Sequence, residues 1–275
     1  MSKPRAVHFH GELPGLGEEL LHKLICNNIS CSIVDNWYEV LLSNMSTELE
    51  IFTAKPFLFD VSLVNSNDVL LYFALNEQVI DFDLLSSIGC EVLLLVDGES
   101  PVDIEEDSVK LIYVHDMIFY STISKSSNLT LDELLKFCKS GDGDFNSQSD
   151  KKYWWVSQQD VATCLVRLID NLDLISSRID ICGRRGWTSQ ATFQQLELLY
   201  NRTIAGSSGQ FQATHLESKP VIEPTLAKVS QITPSTRPNL SNINQVLQQI
   251  TGEGWRPLIP LRTSLMHYLA TKVLD

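Results

Sequence analysis

Residues 6–36 of this chain read AVHFHGELPGLGEELLHKLICNNISCSIVDN, and no other stretch constrains the fold as strongly. An apolar strand enters the turn Gly11-Glu12-Leu13-Pro14-Gly15-Leu16-Gly17, and a helix follows with Leu20, Leu21, Leu24 and Ile25 on one face. A second strand, Cys31 to Val34, ends at Asp35. A strand, glycine turn, helix and strand with an acid about 20 residues beyond the turn is the unit of a dinucleotide-binding fold. The glycines permit a tight bend and close backbone approach, and the helix start offers free N–H groups to a diphosphate. On this reading Gly11, Gly15 and Gly17 form the phosphate turn. Asp35 accepts the ribose hydroxyls of NAD in preference to a 2′-phosphorylated cofactor.

The turn also departs from its pattern. In G-x-x-G-x-x-G spacing the middle position is Pro14, with Gly15 displaced by one. Proline carries no N–H, so one phosphate contact is missing. Glu12, Glu18 and Glu19 stand around the turn. Carboxylates favour a helix start, but they oppose an anionic cofactor. A weakened NAD site is the expectation.

Charge and apolar patterning narrow the partners. Lys and Arg number 21 against 34 Asp and Glu, for a net charge of −13, and no basic tract exceeds two residues. That argues against nucleic acid. No apolar run reaches the ~20 residues of a bilayer span, and Met-Ser-Lys-Pro-Arg leads into a strand without space for a signal peptide. Cys26, Cys31, Cys90, Cys138, Cys164 and Cys182 lack C-x-x-C spacing and lie mostly in apolar segments. They read as buried reduced thiols in a cytoplasmic protein, with no metal centre.

The remaining pattern alternates. A short helix is expected at Trp37–Asn44, with strands at Glu50–Phe52, Phe57–Phe59, Asp68–Phe73, Glu91–Val96 and Lys110–Val114. Helices are expected at Leu131–Cys138 and Asp160–Leu172, with a polar loop at 140–152 between them. A strand at Arg178–Cys182 precedes a helix capped by Thr188 or Ser189 and running to about Asn201. Residues 205–240 read as an irregular, partly mobile connection, and helices at Ile243–Ile250 and Leu261–Val273 close the chain. The fold class is α/β: a Rossmann-like, doubly wound, mainly parallel sheet with a small C-terminal substrate-type subdomain. Residues 1–160 form the dinucleotide-binding domain. Residues 161–275 return to the sheet and build the subdomain.

The order of motifs resembles the extended short-chain dehydrogenase/reductases, the nucleotide-sugar epimerases, dehydratases and reductases. DVLLYFALNEQ (68–78) is similar to the family's strand beside the cofactor, with Ala74 at its alanine. YWWVSQQDVA (153–162) is similar to its F-V-x-V-D-D-V-A stretch, with Gln159 and Asp160 at the acids. DICGRRGWTSQATFQQL (180–196) and RPNLSNINQVLQQITGEGWRPLIPLRTSL (237–265) resemble passages of the sugar-binding half, the latter in dehydrorhamnose-reductase-like members. The resemblance implies NAD, a nucleotide-sugar ligand, cofactor contacts at Gly11, Gly15, Gly17, Asp35 and Ala74, and substrate contacts at Arg184, Arg185 and Arg237.

The family's catalytic element is where the sequence diverges. A Tyr-x-x-x-Lys pair belongs between the strands at 91–96 and 110–114, yet residues 97–109 read DGESPVDIEEDSV, without tyrosine or lysine. Ser100 stands near the family's orienting hydroxyl and also suits a turn. Tyr120 and Lys125 are one residue too far apart to share a helix face. No catalytic residue is assigned. The family's usual helix-mediated dimer cannot form without that helix, leaving a monomer or a sheet face covered by another chain. His8 and His10 share a strand face without a third metal ligand. His115-Asp116 follows a strand end, where family members place substrate contacts, and reads first as a polar loop; Trp154, Trp155 and Trp187 read as core aromatics of which one can line a cleft.

Three functions follow. The first is a non-catalytic relative with a regulatory, scaffolding or ligand-binding role, with or without a protein partner. The second is an active nucleotide-sugar enzyme using Tyr113, Asp116 or Tyr120 as acid. The third is a metabolite-binding module whose dinucleotide site is dead.

Overall fold

The segment VLLYFA, Val69–Ala74, is buried at every position, as a strand covered on both faces must be. It lies at the centre of a sheet in a computed structural model that describes residues 5–75, 78–98, 100–102, 104, 106, 108–121, 123, 128–140, 151–175, 178–216 and 237–273. The elements in chain order begin β1 (Ala6–Gly11), α1 (Leu16–Cys26), β2 (Ser30–Ile33), α2 (Asp35–Asn44), α3 (Ser46–Ile51), β3 (Phe57–Leu58) and β4 (Val69–Ala74). Next come α4 (Phe82–Ser87), β5 (Glu91–Asp97), β6 (Val109–Val114), β7 (Met117–Ile118), α5 (Leu129–Ser140), β8 (Lys152–Tyr153) and β9 (Val156–Ser157). The chain ends with α6 (Gln158–Ile169), β10 (Arg178–Ile181), β11 (Trp187–Thr188), α7 (Ser189–Ser207), α8 (Ser241–Thr251) and α9 (Leu261–Val273).

Seven strands form one sheet in the order β10-β6-β5-β4-β1-β2-β3, with every pairing parallel. The order reverses between β1 and β4, the switch point of a doubly wound fold. On one face Val7, Phe9, Leu71, Phe73, Leu93 and Ile112 pack against Leu20 and Leu24 of α1, Leu165 and Leu168 of α6, and Ile243 of α8. On the other, Leu70, Tyr72, Val92, Leu94 and Leu111 are covered by Leu85 of α4 and by loop residues Phe59, Val64, Ile80, Val102 and Ile104. The described residues between β5 and β6 contain no helix. A third cluster joins Leu131 of α5, Phe193 and Leu196 of α7, and Leu265 and Tyr268 of α9 around Tyr153 and Trp155.

The expected strand at Glu50–Phe52 is instead the last turn of α3 and its exit. Leu49 and Phe52, three apart, pack on the core, whereas Ile51 is exposed. That is helical spacing. α7 runs beyond Asn201 to Ser207, and Thr188 caps it by accepting from the Ala191 amide at 3.1 Å. The loop read at 140–152 falls largely, and the connection at 205–240 falls mainly, outside the described residues, as does Lys125. No described helix is long and apolar enough to cross a membrane.

Candidate functional site

The parallel sheet sends two groups of residues to its carboxyl edge. At the switch point, β1 ends in the glycine turn. Gly11 has φ 91°, and a Cβ there would stand 2.3 Å from the Phe73 carbonyl oxygen, so only glycine lets β1 leave its pairing with β4 in this way. Gly15, at φ 79°, is the N-cap position of α1. A Cβ on Gly17 would lie 3.1 Å from that of Leu13, within the turn itself. Asp35, exposed, opens α2 just beyond β2, the strand beside β1, and Ala74 ends β4 on the other side. The five residues expected at a dinucleotide site therefore share one end of three adjacent strands.

The backbone of this turn fits a diphosphate: a helix N-terminus, two glycines of positive φ, and an acid at the end of β2. The side chains oppose one. Pro14 has no N–H, and the carboxylates of Glu12 and Glu18 stand at the turn, held by Gln78 Nε2 at 3.1 Å and Ser121 Oγ at 3.0 Å. Residues 13–17 are all buried. Gln158 Oε1 accepts from the Tyr120 amide at 3.0 Å. That oxygen and the Tyr120 carbonyl would lie 3.2 and 3.3 Å from a Cβ on Gly15.

The second group lies at the ends of β5, β6 and β10, beside a cavity of about 1060 Å³. Asp97 and Gly98 arrive from β5, His115 and Asp116 from β6, and Asp180 from β10, whose first residue Arg178 also lines the cavity, as do Trp154 and Trp155. The His115 imidazole bonds Asp180 Oδ1 through Nε2 at 2.8 Å. Arg178 grips the same carboxylate with two N–H groups, at 3.1 and 2.8 Å, while its guanidinium lies 3.9 Å from the centre of the Tyr113 ring. Burial opposes charge on Asp180, but the bonds from His115 and Arg178 prevail and hold its carboxyl below the ordinary range. Asp116 adopts φ 49°, a left-handed geometry that aspartate tolerates better than most residues. Its Oδ2 accepts from the Trp154 amide at 2.7 Å and its carbonyl from the Val156 amide at 3.1 Å, which ties the β6 exit to the 153–156 segment.

Other expected residues go elsewhere. Arg184 and Arg185 are exposed in the turn after β10 and do not line this cavity. Arg185 instead covers the Trp187 ring at 4.3 Å. Arg237 precedes Pro238, which does line the cavity. Of the candidate acids, Tyr113 donates to the Val102 carbonyl at 2.8 Å. The Tyr120 hydroxyl is buried beside His267 with no hydrogen-bond partner among the described residues, and burial, then Glu19, pushes its pKa up. Asp116 alone of the three lines the cavity. Ser100 lines it too. His8 is fixed between Ser32 Oγ at 2.7 Å and Asp68 Oδ2 at 3.2 Å, and His10 packs on Phe59 and Tyr72. Arg178 lies outside every motif, and Asp180 opens the 180–196 passage without being singled out. Their one sequence signal is a charged pair at i, i+2 in a strand that follows an apolar helix, which places both on one face.

No protein-family model matches the sequence, and no curated protein matches it. Solved structures do resemble the fold. A UDP-glucuronic acid 4-epimerase from Bacillus cereus, in complex with a fluorinated UDP-sugar and NAD, superposes with a TM-score of 0.58 at 12% identity, over 98% of this chain and 100% of its own. A dTDP-glucose 4,6-dehydratase from Bacillus anthracis, in complex with NAD, gives 0.60 at 9% identity over 98% and 97%. The UDP-Glc/GlcNAc 4-epimerase of Campylobacter jejuni gives 0.58 at 9% over 98% and 100%. Sheet order, parallel pairing and near-complete coverage agree: this chain has the Rossmann-like fold of the NAD-dependent epimerases and dehydratases.

Proposed function

We propose that this protein is a divergent extended short-chain dehydrogenase/reductase that binds a nucleotide-sugar-type ligand in the cavity at the ends of β5, β6 and β10, without the family's Tyr-x-x-x-Lys chemistry. The observation that carries this reading is the cavity itself. It combines Arg178 and Asp180, Asn239 and Asn242 with Trp154 and Trp155, the mixture of polar anchors and aromatic faces that small-molecule sites use. The 97–109 connection offers neither tyrosine nor lysine, and the hydroxyls of Tyr113 and Tyr120 are engaged or buried.

NAD, when bound, supplies a nicotinamide that accepts or returns hydride. The backbone of Gly15 and Leu16 would hold its diphosphate, Asp35 its adenosine ribose, and Ala74 would flank it. The proline and the glutamates of the turn weaken that seat. The protein's role is then ligand binding of a regulatory or scaffolding kind, and it is read as working without a membrane or nucleic acid.

Calorimetry with UDP-glucose, NAD⁺, NADH, NADP⁺ and NADPH tests this. UDP-glucose is expected to bind, Arg178→Ala to weaken it about tenfold, the loss of a charged hydrogen bond, and the NAD forms to bind more weakly than UDP-glucose. Turnover of UDP-glucose in the presence of NAD⁺ would show that an active enzyme is the correct reading.

A further inference from the structure

Among the described residues one imidazole, that of His115, lines the cavity, and its surroundings define what it can do. Asp180 is ionised, so its bond to His115 Nε2 must be made by an Nε2–H. Whenever the ring is neutral, its lone pair is then on Nδ1. Among the described residues nothing bonds Nδ1. Gly98, on the neighbouring strand end, makes room for it: a Cβ on residue 98 would lie 1.9 Å from Nδ1, inside the ring's own space. The base–orienter pair is thus rigid, with the carboxylate fixed from behind by Arg178. The charged residues that line the cavity with it are Asp97, Asp116, Lys151, Lys152, Arg178 and Asp180.

We propose that His115 Nδ1 is the proton acceptor of this cavity, presented to a hydroxyl group of the ligand. The proposal rests on the reading that the cavity binds a ligand. In the neutral ring Nδ1 can only accept a hydrogen bond, so it selects a ligand group that donates an O–H. As the ligand O–H bond is polarised, its proton moves toward Nδ1, the electron pair stays on oxygen, and the positive charge formed on the ring faces Asp180. This is the arrangement of a histidine base held by an orienting carboxylate. Asp180 acts through His115 and is a positioning residue.

The test is carbethoxylation of the full chain by diethyl pyrocarbonate, followed histidine by histidine by peptide mass spectrometry. The reagent attacks an unprotonated, accessible imidazole nitrogen. His115 is expected to react at a rate comparable with exposed His22. At UDP-glucose ten times its Kd the reaction slows about tenfold, since only free protein reacts, while His22 is unaffected. Asp180→Asn, which releases the ring, lowers the His115 rate several-fold. An unreactive His115 beside a reactive His22 overturns the proposal. So does a reactive His115 that bound UDP-glucose fails to protect, or one indifferent to Asp180→Asn. Should Asp180→Asn not fold, the wild-type rate and protection still decide. If calorimetry shows no UDP-glucose binding, the functional reading fails separately, and an unreactive His115, or one indifferent to Asp180→Asn, still overturns the base while a reactive one slowed by Asp180→Asn upholds it.

Discussion

The glycine turn after β1 and the cavity at the ends of β5, β6 and β10 lie along the same edge of one sheet, yet they are built in different ways. The turn is local: Gly11 to Gly17 are consecutive, and its constraint is backbone against backbone, Gly11 against the Phe73 carbonyl. The cavity is assembled from residues 97, 115 and 180, far apart in sequence and adjacent only because β5, β6 and β10 pair in parallel. Its constraint is side chain against side chain. A turn of the first kind persists as architecture whether or not it binds a cofactor. A site of the second kind has no such structural obligation, so its charged residues are better evidence of use.

The same substitution separates the two. Gly11→Ala places a methyl 2.3 Å from a backbone oxygen at φ 91°, and the loss of stability should be the largest of any change considered, about 3 kcal/mol or more by urea unfolding. A mild effect there would mean that β1 and β4 can separate at the switch point.

At the opposite edge of the sheet from the turn, Asp68 anchors the start of the same strands. Burial works against its charge, but bonds from the Ala6 amide, Asn65 and His8 outweigh that and lower its pKa to about 2. Its folded value lies below the ordinary ~3.9, so its contribution is fully present above about pH 4 and is lost as pH falls through about 2. Asp68→Asn should cost about 2 kcal/mol near neutral pH and flatten the acid limb of the stability profile. Wild-type and variant profiles of equal slope in that window would remove Asp68 from the account.

At the cavity, Gly98→Ala meets a side chain, which can move. We expect about 1 kcal/mol of destabilisation, smaller than at Gly11, with UDP-glucose affinity falling because the His115 ring is displaced. Gly89→Ala, where a Cβ meets nothing within 4 Å, should stay within about 0.5 kcal/mol of wild type. If Gly98→Ala behaves like Gly89→Ala in both stability and binding, the ring is not held where the geometry places it.

The sheet was legible because its strands are short apolar runs separated by amphipathic helices, and α6 was visible from its spacing. The segment at 50–52 was misread because Ile51-Phe52 looks β-like, whereas burial falls on Leu49 and Phe52. Within the site, His115 and Asp116 could be placed at a strand end, and the turn residues by their spacing. Arg178 and Asp180 could not be singled out, because their meaning comes from the β6–β10 register, in which Ile181 lies beside Val114 and its carbonyl receives the His115 amide. Arg184 and Arg185 were attractive as consecutive charges, but the turn directs Arg185 onto Trp187.

The most direct test of the central claim, that the cavity is the ligand site, is an ¹⁵N indole spectrum of the wild-type protein titrated with UDP-glucose. The chain has five tryptophans; Trp154 and Trp155 line the cavity, and Trp37 lies in α2, beyond β2. The account predicts saturable shifts at Trp154 and Trp155 with Trp37 unmoved. Saturable binding that shifts Trp37 and leaves Trp154 and Trp155 in place would contradict it.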